Sequence, residues 1–216
     1  MNEFDANIIR FFNTFAHRNE VLDHVIWFMT QNVLVIGGAS MAMFWYAWIR
    51  YGSTAPEKRE ILVFGLFAGI FALFVARALA FSLPFRLRPF HDASLHFQLP
   101  YGADPQGIMG WSAFPSDRAV LFFCQATILS IVSRPLGAVA ICHALFVICL
   151  PTIYVGIHYP SDLIVGALLG ICIARLSLFA RLRADVTRTA LHWLSKNPAA
   201  FYTFLFLCTF EIAELF

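Results

Sequence analysis

The feature that most constrains this chain is a succession of apolar stretches, each close to the length of about 20 residues that a helix needs to cross a bilayer. Six candidate spans can be laid along it, at 24–50, 61–83, 117–132, 136–153, 162–179 and 199–216. The third is short, and the last carries Glu211 and Glu214. Pro84, Pro135, Pro160 and Pro198 stand where spans should start or stop. Composition agrees with this layout. Of the 216 residues 60% are hydrophobic and 13% charged, against about 45–50% and about 25% in soluble domains. A soluble enzyme, a disordered chain and a secreted disulfide scaffold are excluded. The five cysteines all fall in apolar runs without metal-ligand spacing and read as small core residues.

The expectation is therefore an all-α, polytopic membrane protein of about six transmembrane helices, forming one domain over residues 1–216. Residues 1–20 lack the basic start and cleavage site of a signal peptide. Phe4, Ile8, Phe11, Phe12 and Phe15 recur at helical intervals, predicting an amphipathic helix lying in the membrane interface. The long connection, 84–116, is of a length that is usually functional in a bundle of packed helices. Lys and Arg residues set the orientation. Arg50, Lys58, Arg59, Arg134, Arg181, Arg183, Arg188 and Lys196 outnumber Arg10, Arg18, Arg86, Arg88 and Arg118 on the opposite side. The larger group predicts the cytoplasmic side. The 84–116 loop and the segment around His158 then face the periplasm or cell exterior from the plasma (inner) membrane. The net charge of +2 with no basic stripe argues against nucleic acid as a partner; the expected partners are the bilayer and a lipid phosphate.

Three short segments on the outward side carry chemistry: Arg86-Leu87-Arg88-Pro89-Phe90, Phe114-Pro115-Ser116-Asp117-Arg118, and Tyr154 through Asp162. Arginine forks match phosphate oxygens bidentately. Ser116 and Asp117 stand at a helix start, where free amides and the helix dipole favour an anion. Asp162 lies four residues after His158, so in a helical first turn it would reach one imidazole nitrogen and leave the other as a nucleophile. No metal and no cofactor are called for, because the outward segments lack clustered carboxylates.

At these residues the chain resembles the membrane branch of the type 2 phosphatidic acid phosphatase family, whose signatures are Lys-x6-Arg-Pro, Pro-Ser-Gly-His and Ser-Arg-x5-His-x3-Asp. Arg88-Pro89, Pro115-Ser116 and His158 with Asp162 match them in order. The phrases Phe-Pro-Ser-Asp and Gly156-x-His158-Tyr159-Pro160-x-Asp162 look most like the bacitracin-resistance type of undecaprenyl-diphosphatase. The resemblance implies that His158 is the nucleophile, that Asp162 orients it, and that Arg88, Ser116 and Arg86 hold phosphate beside Asp117. Three positions depart from the signatures. Phe81 replaces the first-motif lysine, with Arg77 one turn earlier as its substitute; Arg118 replaces the second-motif histidine; Thr152 replaces the third-motif arginine.

Plainer readings stand beside these. His158 and Asp162 could be a helix-capping pair, Arg118 an interfacial snorkelling residue, and Arg77 a structural hydrogen bonder within a span. His91, Asp92 and His96 read as solvated loop residues, and His143 as a helix-packing hydrogen bonder. Two function classes follow: a lipid-phosphate phosphatase or phosphotransferase using a phosphohistidine, and a non-catalytic relative that binds or transports a lipid phosphate.

Overall fold

The computed structural model describes residues 2–51, 55–104 and 110–215. Among them every regular element is helical. In chain order these are α1 (Glu3–Asn13), α2 (Glu20–Gln31), α3 (Ala39–Tyr51), α4 (Pro56–Ser82), α5 (Asp117–Val132), α6 (Arg134–Cys142), α7 (Leu150–Tyr154), α8 (Pro160–Arg175), α9 (Ala180–Lys196) and α10 (Pro198–Glu214). Within the described residues, three helical stretches are long and apolar enough to cross a membrane: Pro56–Ser82, Arg134–Tyr154 and Pro160–Leu178. The bent pair Glu20–Gln31 and Leu34–Tyr51 makes a fourth if it is one span.

The first predicted span is not a straight helix. Asn32 takes an extended conformation that ends α2, while its side chain accepts from the Val35 amide and opens the next helical stretch. An Asn that caps the following turn competes with continued helix, and the two arms meet at a bend of 68°. Two further predicted spans are short helices: α5 has 16 residues and α10 has 17. The stretch predicted to link the last two spans is itself a helix, α9. Its Arg183 is buried against α4, bonding Glu60 and Glu57 at 3.0 Å each.

Helix α5 sits at the centre, between α4 and α8. Small residues allow this close approach, as at helix interfaces within membranes. A Cβ added at Gly170 of α8 would lie 2.2 Å from the Val120 carbonyl oxygen of α5. On α4, Ala68, Ala72 and Ala76 are buried in the shared core. Large apolar side chains such as Phe67, Phe71, Phe74, Leu168 and Phe206 point outward instead, the inverse of a water-soluble protein. His143 bonds the Val35 carbonyl at 2.8 Å, linking two helical segments. The architecture leaves one end of the bundle, past the C-terminal end of α4 and at the starts of α5 and α8, to the long loop and α1.

Candidate active site

At that end the three motif segments converge. The turn between α7 and α8 is built by the backbone: the Thr152 carbonyl accepts from Ile157 at 2.8 Å and from His158 at 3.3 Å. Gly156 has φ +77°, and a Cβ there would also lie 2.7 Å from the Phe97 ring, so glycine is needed twice over. Pro160 then opens α8, and Asp162 accepts from the Tyr159 amide at 2.9 Å, capping the helix. Thr152, standing where the family signature has arginine, is fully buried with its hydroxyl donated to the Cys149 carbonyl.

His158 is buried, and its Nδ1 lies 2.9 Å from the Ala113 carbonyl oxygen. A carbonyl only accepts, so Nδ1 carries the proton and Nε2 keeps its lone pair. The group that selects the tautomer is thus a backbone carbonyl, where sequence reasoning expected Asp162. The Asp162 carboxylate stands 3.8 Å from Nδ1, at ion-pair distance but beyond a hydrogen bond. Burial holds the imidazole below its ordinary pKa; Asp162 opposes that shift, while Arg88 and Arg118 add to it. A neutral, nucleophile-competent ring is the consequence at neutral pH.

His158 lines a cavity of about 390 Å³ together with Arg77, Arg88, Asp117, Arg118 and Trp111. That volume falls in the range of small-molecule sites, about 300–1,000 Å³. Arg88 is nearly buried and donates one bond, at 3.0 Å, to the Ile157 carbonyl, while its Nε is a buried donor without a protein acceptor among the described residues. Burial pulls this guanidinium down to about 10, and Asp117 and Asp162 oppose the shift, so it stays cationic at neutral pH. Arg77 pairs with Asp117 at 2.6 Å and lies over the Trp111 ring. Arg118 reaches back to the Thr30 carbonyl at 3.1 Å. Three guanidinium groups and one neutral imidazole line this cavity against two carboxylates, Asp104 and Asp117, a balance that favours an anion with several oxygens.

Other residues expected in the site, Ser116 and Arg86, do not line the cavity. Ser116 is fully buried as the N-cap of α5: its hydroxyl accepts from Ala119, and its amide donates to the Asp162 carbonyl. One end of the Arg86 guanidinium meets Asp162 at 2.5 Å and the other meets Asp5 of α1 at 2.6 Å, with the plane over the Tyr159 ring. Asp92, expected to be a solvated loop residue, accepts from the Tyr159 hydroxyl at 3.2 Å.

Sequence reasoning missed Asp5 and the Ala113 carbonyl. Asp5 was legible only as the charged member of the face it shares with Ile9, both buried; the phenylalanine face at Phe4 and Phe11 is the exposed one. Nothing in sequence marks a backbone carbonyl as an acceptor.

The family model described as the PAP2 superfamily matches residues 61–184. The "Bacitracin transport permease protein BcrC" of Bacillus licheniformis is 22% identical over 79% of this chain and 77% of its own length. The "Undecaprenyl-diphosphatase BcrC" of Bacillus subtilis (strain 168) is 26% identical over 85% of this chain and 91% of its own. Among solved structures, the Aquifex aeolicus LpxE crystal structure superposes with a TM-score of 0.56 at 24% identity, covering 80% of this chain and 93% of that one; this likeness speaks for the fold. With all three motif segments at one end of the bundle and a family match across more than half its length, the chain belongs to the PAP2 superfamily.

Proposed function

We propose that this protein is a membrane lipid-phosphate phosphatase whose preferred substrate is a polyprenyl diphosphate such as undecaprenyl diphosphate. The observation that carries the reading is the His158 tautomer: Nδ1 donates to the Ala113 carbonyl, leaving an unprotonated Nε2 on a ring that lines an arginine-rich cavity. Nε2 attacks the terminal phosphorus, a P–N bond forms, and the P–O bond to the lipid monophosphate breaks. Asp162 offsets the positive charge that then develops on the ring. Water next attacks the phosphohistidine, the P–N bond breaks, His158 returns to its neutral Nδ1–H form, and both protons of the water leave with inorganic phosphate as dihydrogen phosphate. Arg88 and Arg77 hold the phosphoryl oxygens.

Arg118 defines the substrate preference. A guanidinium stays protonated at working pH and donates no proton to a leaving group. A lipid monophosphate has a last pKa near about 6, so it can depart as an anion paired with Arg118. An alkoxide cannot. The name of the Bacillus subtilis relative, an undecaprenyl-diphosphatase, supports a diphosphate substrate.

The same reading treats the chain as one domain, with α1 in the interface and its exposed phenylalanines toward lipid. The short helices α5 and α10 complete six crossings, and the cavity opens toward the periplasm or cell exterior. A second reading has one specific observation in its favour. Arg118 and Thr152 stand where the family signatures have histidine and arginine, and one relative is named a transport permease; such a chain would bind a lipid phosphate without cleaving it.

Phosphate release from undecaprenyl diphosphate and from phosphatidic acid, in detergent micelles, tests the proposal. Release from the diphosphate, abolished in His158→Ala, with an acid-labile phosphoenzyme in the parent, is the expected result. If the parent releases phosphate from neither lipid yet binds them, the second reading replaces the first.

A further inference from the structure

The most unusual polar group outside the cavity is Asp5, a fully buried carboxylate on a helix whose opposite face is apolar and exposed. Each of its oxygens is committed. Oδ1 accepts from the Ser161 amide at 2.9 Å; Oδ2 accepts from the Ser161 hydroxyl and from Arg86, both at 2.6 Å. Arg86 also donates to the Ser161 hydroxyl at 2.8 Å and to Asp162 at 2.5 Å. The N-terminal helix is thereby bonded directly to Ser161 and, through Arg86, to Asp162, both in the first turn of α8. A buried carboxylate is costly unless it is paired and hydrogen-bonded, and here the pairing spends that cost on one loop.

We propose that Asp5 is a positioning residue for the active site: through Arg86 and Ser161 it fixes the Asp162 carboxylate beside His158, making α1 part of the catalytic apparatus. This rests on the phosphatase reading for its kinetic consequence but not for its structural one. The charged groups facing His158 are Asp162 on α8, Arg88 from the long loop and Arg118 on α5, with the Arg77–Asp117 pair and Asp104 lining the same cavity. Asp5, Arg86 and Asp162 together carry one net negative charge. Neutralising Asp5 brings that cluster to zero, raises the local potential and makes the His158 imidazole harder to protonate.

Two measurements test this on the full-length protein in detergent. Turnover of undecaprenyl diphosphate by Asp5→Asn should show kcat lowered about 10–100-fold, the range found when partners that orient an imidazole from one bond further out are lost. KM should change little, because Asp5 touches no phosphate. In an Asp162→Asn background the same change should cost little more, since both act on one contact. Glu3→Gln, on the exposed side of α1, should behave as the parent. The second measurement needs no turnover: carbethoxylation of His158 by diethyl pyrocarbonate, followed by mass spectrometry across pH, reports the neutral ring. Its midpoint should move to lower pH in Asp5→Asn. Ser161→Ala, which deletes one hydroxyl and keeps the ion pair, should lower kcat by less and leave the midpoint near the parent value. It serves as the kinetic test if Asp5→Asn does not fold. Unchanged kcat in a folded Asp5→Asn, a loss confined to KM, or full activity in Ser161→Ala would overturn the proposal. A parent without phosphatase activity would remove the phosphatase reading, and the carbethoxylation midpoint would still decide the role of Asp5.

Discussion

Two arginines, one at each end of α4, each bridge a pair of carboxylates, and the contrast between them shows what burial does to an ion pair. Past the C-terminal end of α4, Arg86 joins Asp5 to Asp162, both carboxylates 0% exposed. At the N-terminal end, Arg183 joins Glu57 and Glu60, whose side chains are 72% and 21% exposed. The second cluster docks α9 against α4 far from the cavity, with one partner in solvent. Screened pairs of that kind contribute little, about 0.2–1 kcal/mol. In the first cluster both carboxylates are cut off from solvent, although Arg86 itself is 26% exposed, so losing the arginine strands two buried charges. An arginine bridging two carboxylates therefore makes a clasp at one end and, under the proposal above, organises the site at the other.

The sharpest way to break the comparison is to remove each arginine. Arg86→Ala should destabilise the protein by about 3–5 kcal/mol, the cost of leaving buried carboxylates uncompensated. Arg183→Ala should cost about 1–3 kcal/mol, the scale of lost hydrogen bonds to charged groups, and should leave phosphate release near the parent rate. Thermal unfolding in detergent and a phosphate assay read both. Equal losses of stability would show that burial is not what separates the two ends.

Within the cavity, Arg118→His should restore a proton donor. General acids contribute about 10²–10⁴-fold, so release from phosphatidic acid should rise by up to about 10²-fold, with little change for the diphosphate. A rise shared equally by both lipids would remove the leaving-group argument.

A smaller effect is expected from pH. In the proposed mechanism the attacking form of His158 is neutral, and burial lowers its pKa. Protonation, and with it the loss of rate, therefore occurs at lower pH than for a free imidazole. The acid limb of kcat/KM should have its midpoint below about 6.5. A midpoint above that value would mean that Asp162 outweighs burial. Smallest of all should be Glu57→Gln, within about 1 kcal/mol in unfolding free energy; a larger loss would place the Arg183 cluster with its buried counterpart.

Much of this molecule could be read from local pattern. Apolar length marks the helices of α4 and α8, prolines mark their limits, and the order of Arg88-Pro89, Pro115-Ser116 and His158 with Asp162 points to one phosphate-handling end. Each of those signals is carried by one contiguous stretch of sequence, and the physics behind it, helix geometry and desolvation, is equally local. The break at Asn32 turns on one local side-chain bond that competes with the helix, and the helical character of α9 on what a charged stretch finds to pack against, so apolar length revealed neither.

Partner choice in the site was decided only by the tertiary structure. Arg86 meets Asp5 across 81 residues of sequence, and His158 meets the Ala113 carbonyl across 45. A hydrogen bond's partner is whatever acceptor the packed helices bring within 3 Å. Residue type determined that His158 could be a nucleophile; the fold determined which nitrogen carries the lone pair and which carboxylates share the arginine behind it.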